Sequence, residues 1–199
     1  METPDSKAAA EEDGMLGVDY IVPGLMVPVR QPSPMSCWAA MYTMMYSWRN
    51  QQSISIPDAV ARLGPKYVEC FRRDTGLPIE ENRNLARAAG MQAEALQNLT
   101  IEGWVDMLRR HGLLWTSYGW QRFDATGLVE TRAGRHIIII YGMAGDGSTA
   151  GTRVKYINPS DGQFHEMPFS RFLSQHETGF TMRRLTNQQL GQFSQIMHY

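Results

Sequence analysis

Two cysteines are too few for a disulfide framework in a chain of 199 residues. Stability therefore has to come from a packed core. No stretch reaches the roughly 18 consecutive apolar residues of a membrane span. The opening METPDSKAAAEEDG has neither a basic start nor an apolar run, so no conventional secretory signal is expected. Strong charge is missing too. A net charge of −1 at pH 7 gives no general attraction to nucleic acid or to an anionic membrane. Residues 1–19 carry six acids against one lysine, and the small basic excess left elsewhere is too scattered for a nucleic-acid footprint. The expectation is a soluble protein made in a reducing cytoplasm. Delivery by a specialised secretion system needs no such signal and remains compatible with it.

What is present is apolar and aromatic. A hydrophobic content of 43% and an aromatic content of 10% place the chain among globular proteins, and its length suits one domain. The acidic, Ala-rich start reads as a flexible tail or linker over residues 1–24, with the folded domain over 25–199. The prolines in YIVPGLMVPVRQ predict an extended arm or edge strand. A helix from Cys37 to Arg49, with Ser36 as N-cap, is apolar nearly all round and should run through the middle of the domain. SIPDAVARLG, IEENRNLARAAG and TIEGWVDMLRRHG read as three more helices, started by Pro57 or a Thr cap and closed by glycines. After residue 112 the texture turns to short β-branched and aromatic runs: LLWTSYGW, HIIIIYGMAG, TRVKYINP and QFHEMPF. FSRFLSQH predicts a short helix and GFTMRRL a last strand. Helices first and an antiparallel sheet afterwards make an α+β fold.

Chemistry concentrates around Cys37. A lone cysteine on an apolar helix is usually a small buried filler. This one lies in the first turn, where unpaired N–H groups and the helix dipole favour an anion and lower a thiol pKa. Cys70, in KYVECFRRD, has no such setting and reads as structural. A thiolate needs a base and an oxyanion donor. Gln31 can return from the Pro-stiffened loop to supply an amide N–H beside the Cys37 backbone N–H. Among five histidines, His111 reads as a helix-end cap, and His176 and His198 sit in polar or terminal surroundings. His165 lacks a supporting motif. His136 opens HIIIIYG, a strand buried on both faces, and is held rigidly at its mouth. A hairpin pairing residues 137–142 with 153–157 brings Asn158 back beside His136 to orient its ring, with Asp161 as the alternative. Trp38, Trp115 and Trp120 either wall a substrate groove or fill the core, and for Trp38 the core is favoured.

The order Gln31, Cys37, His136, Asn158 resembles the papain-like cysteine peptidases. SCWAAM is similar to their helix-opening nucleophile motif, GRHIIIIYG to their base-bearing strand and YINP to the orienting residue before a proline. The likeness spans roughly residues 25–175. It is nearest the compact bacterial branches, the avirulence-effector peptidases of plant pathogens and the bacteriocin-processing peptidases. Those branches more often carry Asp at the third position, where this chain has Asn158.

The resemblance implies a helical lobe carrying the nucleophile and an antiparallel β lobe carrying the base. It implies a cysteine endopeptidase with a protein substrate and no metal or cofactor. If the thiol is ion-paired with His136, its pKa falls from about 8.5 toward roughly 4–7. The resemblance further implies an injected effector or interbacterial toxin. Too little chain precedes the domain for an inhibitory propeptide, so a cognate inhibitor (immunity) protein or an activating factor in the recipient is expected. The same chemistry serves deamidases and transglutaminases, and an idle site would leave a binding module.

Overall fold

The computed structural model describes residues 17–78, 81–123, 129–185 and 194–199, with 120–123, 129–134 and 180–185 as backbone only. The acidic stretch 1–16 lies outside them. The nearer part of the expected tail is not tail: β1 (Val18–Ile21) pairs antiparallel with the far end of β4 (Val129–Gly145), from Val18 opposite Gly145 to Ile21 opposite Gly142.

Five helices follow, four of them where the sequence predicts. α1 (Cys37–Asn50) buries Trp38 through Met45 without interruption, as an all-round apolar helix must. α2 (Ile56–Leu63) is capped by the Ser55 side chain, which accepts from the Asp58 N–H. α4 (Asn82–Ala89) ends on Gly90 at φ 67°. Between them α3 (Pro65–Arg72) is a helix the sequence did not reveal. It carries Cys70, whose Sγ donates to the Gly76 carbonyl at 2.8 Å and lies 3.5 Å from Thr75 Oγ1. That is the structural role expected of it. α5 (Ile101–His111) starts where Thr100 Oγ1 accepts from the Gly103 N–H at 3.2 Å. It stops at Gly112, where φ is 75° and any Cβ would overlap the Trp48 ring.

The sheet has the order β2-β7-β3-β4-β5-β6, with β1 on β4. Its remaining members are β2 (Gln92–Ala93), β3 (Leu114–Phe123), β5 (Arg153–Asn158), β6 (Gln163–Pro168) and β7 (Ile196–His198). α6 (Phe169–Leu185) follows β6. It absorbs GFTMRRL, so the expected last strand is helix. The reason lies at Gly179, which packs against Gly119 of β3 so closely that a Cβ on Gly119 would sit 2.8 Å from the Gly179 nitrogen. Glycine serves here to bring helix and strand backbones together.

The isoleucine run is as buried as expected. Ile137, Ile138, Ile139 and Ile140 are 0–2% exposed. α1 and α5 pack against β4, and α6 against β3, β5 and β6. The α+β architecture is thus helices around one antiparallel sheet, with both central strands covered.

Candidate active site

β4 is longer than its isoleucine run suggests. Residues 129–135 pair with β3, so His136 lies within the strand rather than at its start. It still marks an edge, because β5 covers β4 only from Ile139 onward, with Ile139 opposite Ile157. The last residue of β5, Asn158, therefore ends beside the uncovered part of β4. The hairpin register is shifted by about two residues from the one expected, and its consequence for the ring survives. His136 Nε2 lies 2.8 Å from Asn158 Oδ1. Ser160 Oγ stands 3.3 Å from the same nitrogen, while the Ser160 N–H donates to Asn158 Oδ1 at 3.0 Å. Nε2 is thus occupied, and Nδ1 is the nitrogen left for a nucleophile.

Asp161, the alternative partner, is engaged elsewhere. Its Oδ2 pairs with His165 Nε2 at 2.8 Å and its Oδ1 accepts from the Gln163 N–H at 3.0 Å. Tyr118, opposite His136 on β3, meets the ring edge-on at 5.7 Å between centroids. Burial pushes the Tyr118 hydroxyl up to about 12, so it stays neutral beside the imidazole.

The nucleophile loop docks onto the same turn. The Gln31 N–H donates to the Pro159 carbonyl at 2.7 Å, and Gly162, at φ 66°, leaves no room for a Cβ against Arg30. Ser36 precedes α1 as expected, but its side chain does not cap the helix. Its hydroxyl closes the loop instead, donating to the Ser33 carbonyl at 2.8 Å and accepting from the Ser33 N–H at 3.0 Å. The first-turn N–H groups of Cys37 and Trp38 favour the anionic form of the Cys37 thiol. The Gln31 amide donates to the Ser33 and Pro34 carbonyls at 2.9 and 3.1 Å, so in this structure its donor face is turned into its own loop.

The electrostatics correct one expectation. The Cys37 thiol is raised above its ordinary value, chiefly by burial. The Arg135 guanidinium and the two N–H groups pull the other way and do not overcome it, and Asp74 adds to the rise. His136 is lowered by burial, against the opposing hydrogen bond it makes to Asn158 Oδ1 and the charge of Asp161. Both shifts favour the uncharged form of each group. Arg135, the residue before His136, is the leading charge that favours the thiolate.

A family model described as papain-like cysteine protease AvrRpt2 matches residues 22–177 of the chain. The chain belongs to that family. It is a cysteine peptidase, and the α+β fold of a papain-like enzyme is the one observed. No curated protein matches the chain.

Within this papain-like framework Trp38 and Trp115 are 1% and 0% exposed. Both are core residues and not groove walls. Trp38 packs against Tyr67 and Phe71 of α3. The side chain of Trp120 lies outside the described residues. His176 and His198, expected in polar or terminal surroundings, are 1% and 0% exposed. His111 does not simply cap a helix end: its ring stacks on His198 at 3.7 Å. Arg135, Asp74 and Ser160 were not foreseen. Arg135 and Ser160 stand within two residues of His136 and Asn158, a proximity that could have flagged them. Asp74 is distant in sequence, and only its DTG turn composition gave a signal.

Proposed function

We propose that the chain is an endopeptidase acting on protein substrates through Cys37, His136, Asn158 and Gln31. Cys37 Sγ attacks the scissile carbonyl as its proton passes to His136 Nδ1. The same proton then goes to the leaving amine, and water hydrolyses the thioester with His136 again as base. Asn158 holds the ring through Nε2. The backbone N–H groups at the start of α1 receive the oxyanion. Gln31 joins them by exchanging its loop carbonyls for the developing negative charge, a stronger acceptor. The observation that supports this reading is the 2.8 Å bond between His136 Nε2 and Asn158 Oδ1, which leaves Nδ1 as the proton acceptor. An Asn amide fixes the ring without adding charge.

We further read the chain as an effector or interbacterial toxin delivered by a specialised secretion system. A cognate inhibitor protein or a recipient activating factor would restrain it. Mapping new protein N-termini in recipient lysates, with wild-type protein and with Cys37→Ala, tests both the reaction and its substrate. New termini that appear only with the wild type support the proposal. Intact targets that gain about one dalton, the change from amide to acid in this thiol chemistry, would instead make the enzyme a deamidase.

A further inference from the structure

We propose that Asp74 is a positioning residue for the nucleophile, clamping the loop that presents Cys37 to the turn between α3 and α4. This rests on the reading of Cys37 as nucleophile. Asp74 has φ 50°, a left-handed conformation that few residues other than glycine, Asn and Asp adopt readily. From there its Oδ1 accepts two hydrogen bonds from the loop before α1, from Ser33 Oγ at 2.7 Å and from the Met35 N–H at 3.0 Å. Ser33 in turn is locked to Ser36, the residue before the nucleophile: the Ser36 hydroxyl donates to the Ser33 carbonyl at 2.8 Å and accepts from the Ser33 N–H at 3.0 Å. The chain from carboxylate to sulfur thus runs Asp74, Ser33, Ser36, Cys37.

The clamp has a second jaw. Gly76, at φ 74°, lies so close to Met35 that a Cβ there would stand 2.7 Å from the Met35 Cε. On the other flank the loop is tied to Pro159 through Gln31. The first turn of α1 therefore sits between an anchor on the helical side and an anchor on the Asn158 turn.

Charge gives the clamp a second effect. The groups acting on the thiol are the Arg135 guanidinium from β4, the N–H groups of Trp38 and Cys37, and the Asp74 carboxylate. Asp74 is the one charge among them that disfavours a thiolate. Burial is the main cause that holds the thiol protonated, and the Asp74 carboxylate adds a smaller push in the same direction while its hydrogen bonds hold the loop.

Two substitutions separate these effects. Asp74→Gly removes both hydrogen bonds and suits the left-handed backbone, so loss of the clamp is not confused with backbone strain. It is expected to lower kcat about tenfold or more with KM within about twofold, because a displaced nucleophile loses alignment rather than binding. Asp74→Asn keeps the Oδ1 acceptor and removes the charge. It should restore kcat to within about threefold of wild type, while iodoacetamide labels Cys37 about two- to fivefold faster at pH 7 as the thiol pKa falls. A wild-type kcat in Asp74→Gly, or an unchanged labelling rate in Asp74→Asn, overturns the proposal. Labelling is read by mass spectrometry on the Cys37 peptide and needs no turnover. Cleavage surviving in Cys37→Ala would instead overturn the nucleophile assignment itself.

Discussion

At the scale of single residues the account turns on three groups with separate duties. Cys37→Ala and His136→Ala should each abolish cleavage while thermal unfolding stays cooperative, since both side chains border the site rather than fill the core. Asn158→Ala should lower kcat by roughly 10²–10⁴-fold, the range seen when an imidazole loses its orienting partner. The pH behaviour follows from burial. With the thiol above its ordinary value and His136 below its own, iodoacetamide should label Cys37 slowly at pH 6 and faster as pH rises through the thiol range. Peptidase activity should keep its acid limb below about pH 6.5, because His136 stays deprotonated to lower pH than a free imidazole. Fast labelling of Cys37 at pH 6 would point to an ion pair and contradict a thiol raised by burial.

At the scale of elements the isoleucine strand and the helix caps carry the measurable energies. Ile138 is 0% exposed at the centre of the sheet, so Ile138→Ala should cost about 2–5 kcal/mol in denaturant unfolding. Thr100→Ala, which leaves the Gly103 N–H without its cap, should cost about 1 kcal/mol. Elements with a local signal were readable in the sequence. Ser55, Thr100, Gly90 and Gly112 mark helix ends by backbone chemistry, and four isoleucines in a row leave little but a buried strand. Elements made by distant pairing were not. α3 buries Tyr67 alone, so it shows little apolar periodicity. Residues 129–135 look like a polar loop, yet their backbone pairs with β3. β2 and β7 are only two and three residues long, and they exist through pairing with each other and with β3. The site followed the same rule. His136 and Asn158 were legible because one hairpin joins them, whereas Asp74 reaches the nucleophile loop by a contact across 41 and 39 residues.

For the whole molecule, the last residues close the sheet and the buried imidazoles set its acid tolerance. β7 lies between β2 and β3, and His198, 0% exposed, pairs with Glu94 at 2.8 Å. Removing residues 194–199 should abolish cooperative unfolding, read by calorimetry. His111, His136 and His176 are each lowered by burial in the folded state. Below about pH 6.5 the unfolded chain binds protons that the folded chain resists, so stability must fall as pH drops through that window. Tm should decline from pH 7 to pH 5, and His176→Phe should flatten that decline. The central claim spans the molecule: a sulfur at the start of α1 and an imidazole on β4 must meet. Dibromoacetone, which alkylates a thiol and then bridges to a nearby imidazole, tests this most directly, with the product read by peptide mass spectrometry. The account predicts one cross-linked species joining Cys37 to His136. A bridge from Cys37 to another histidine, with His136 unmodified, would contradict it.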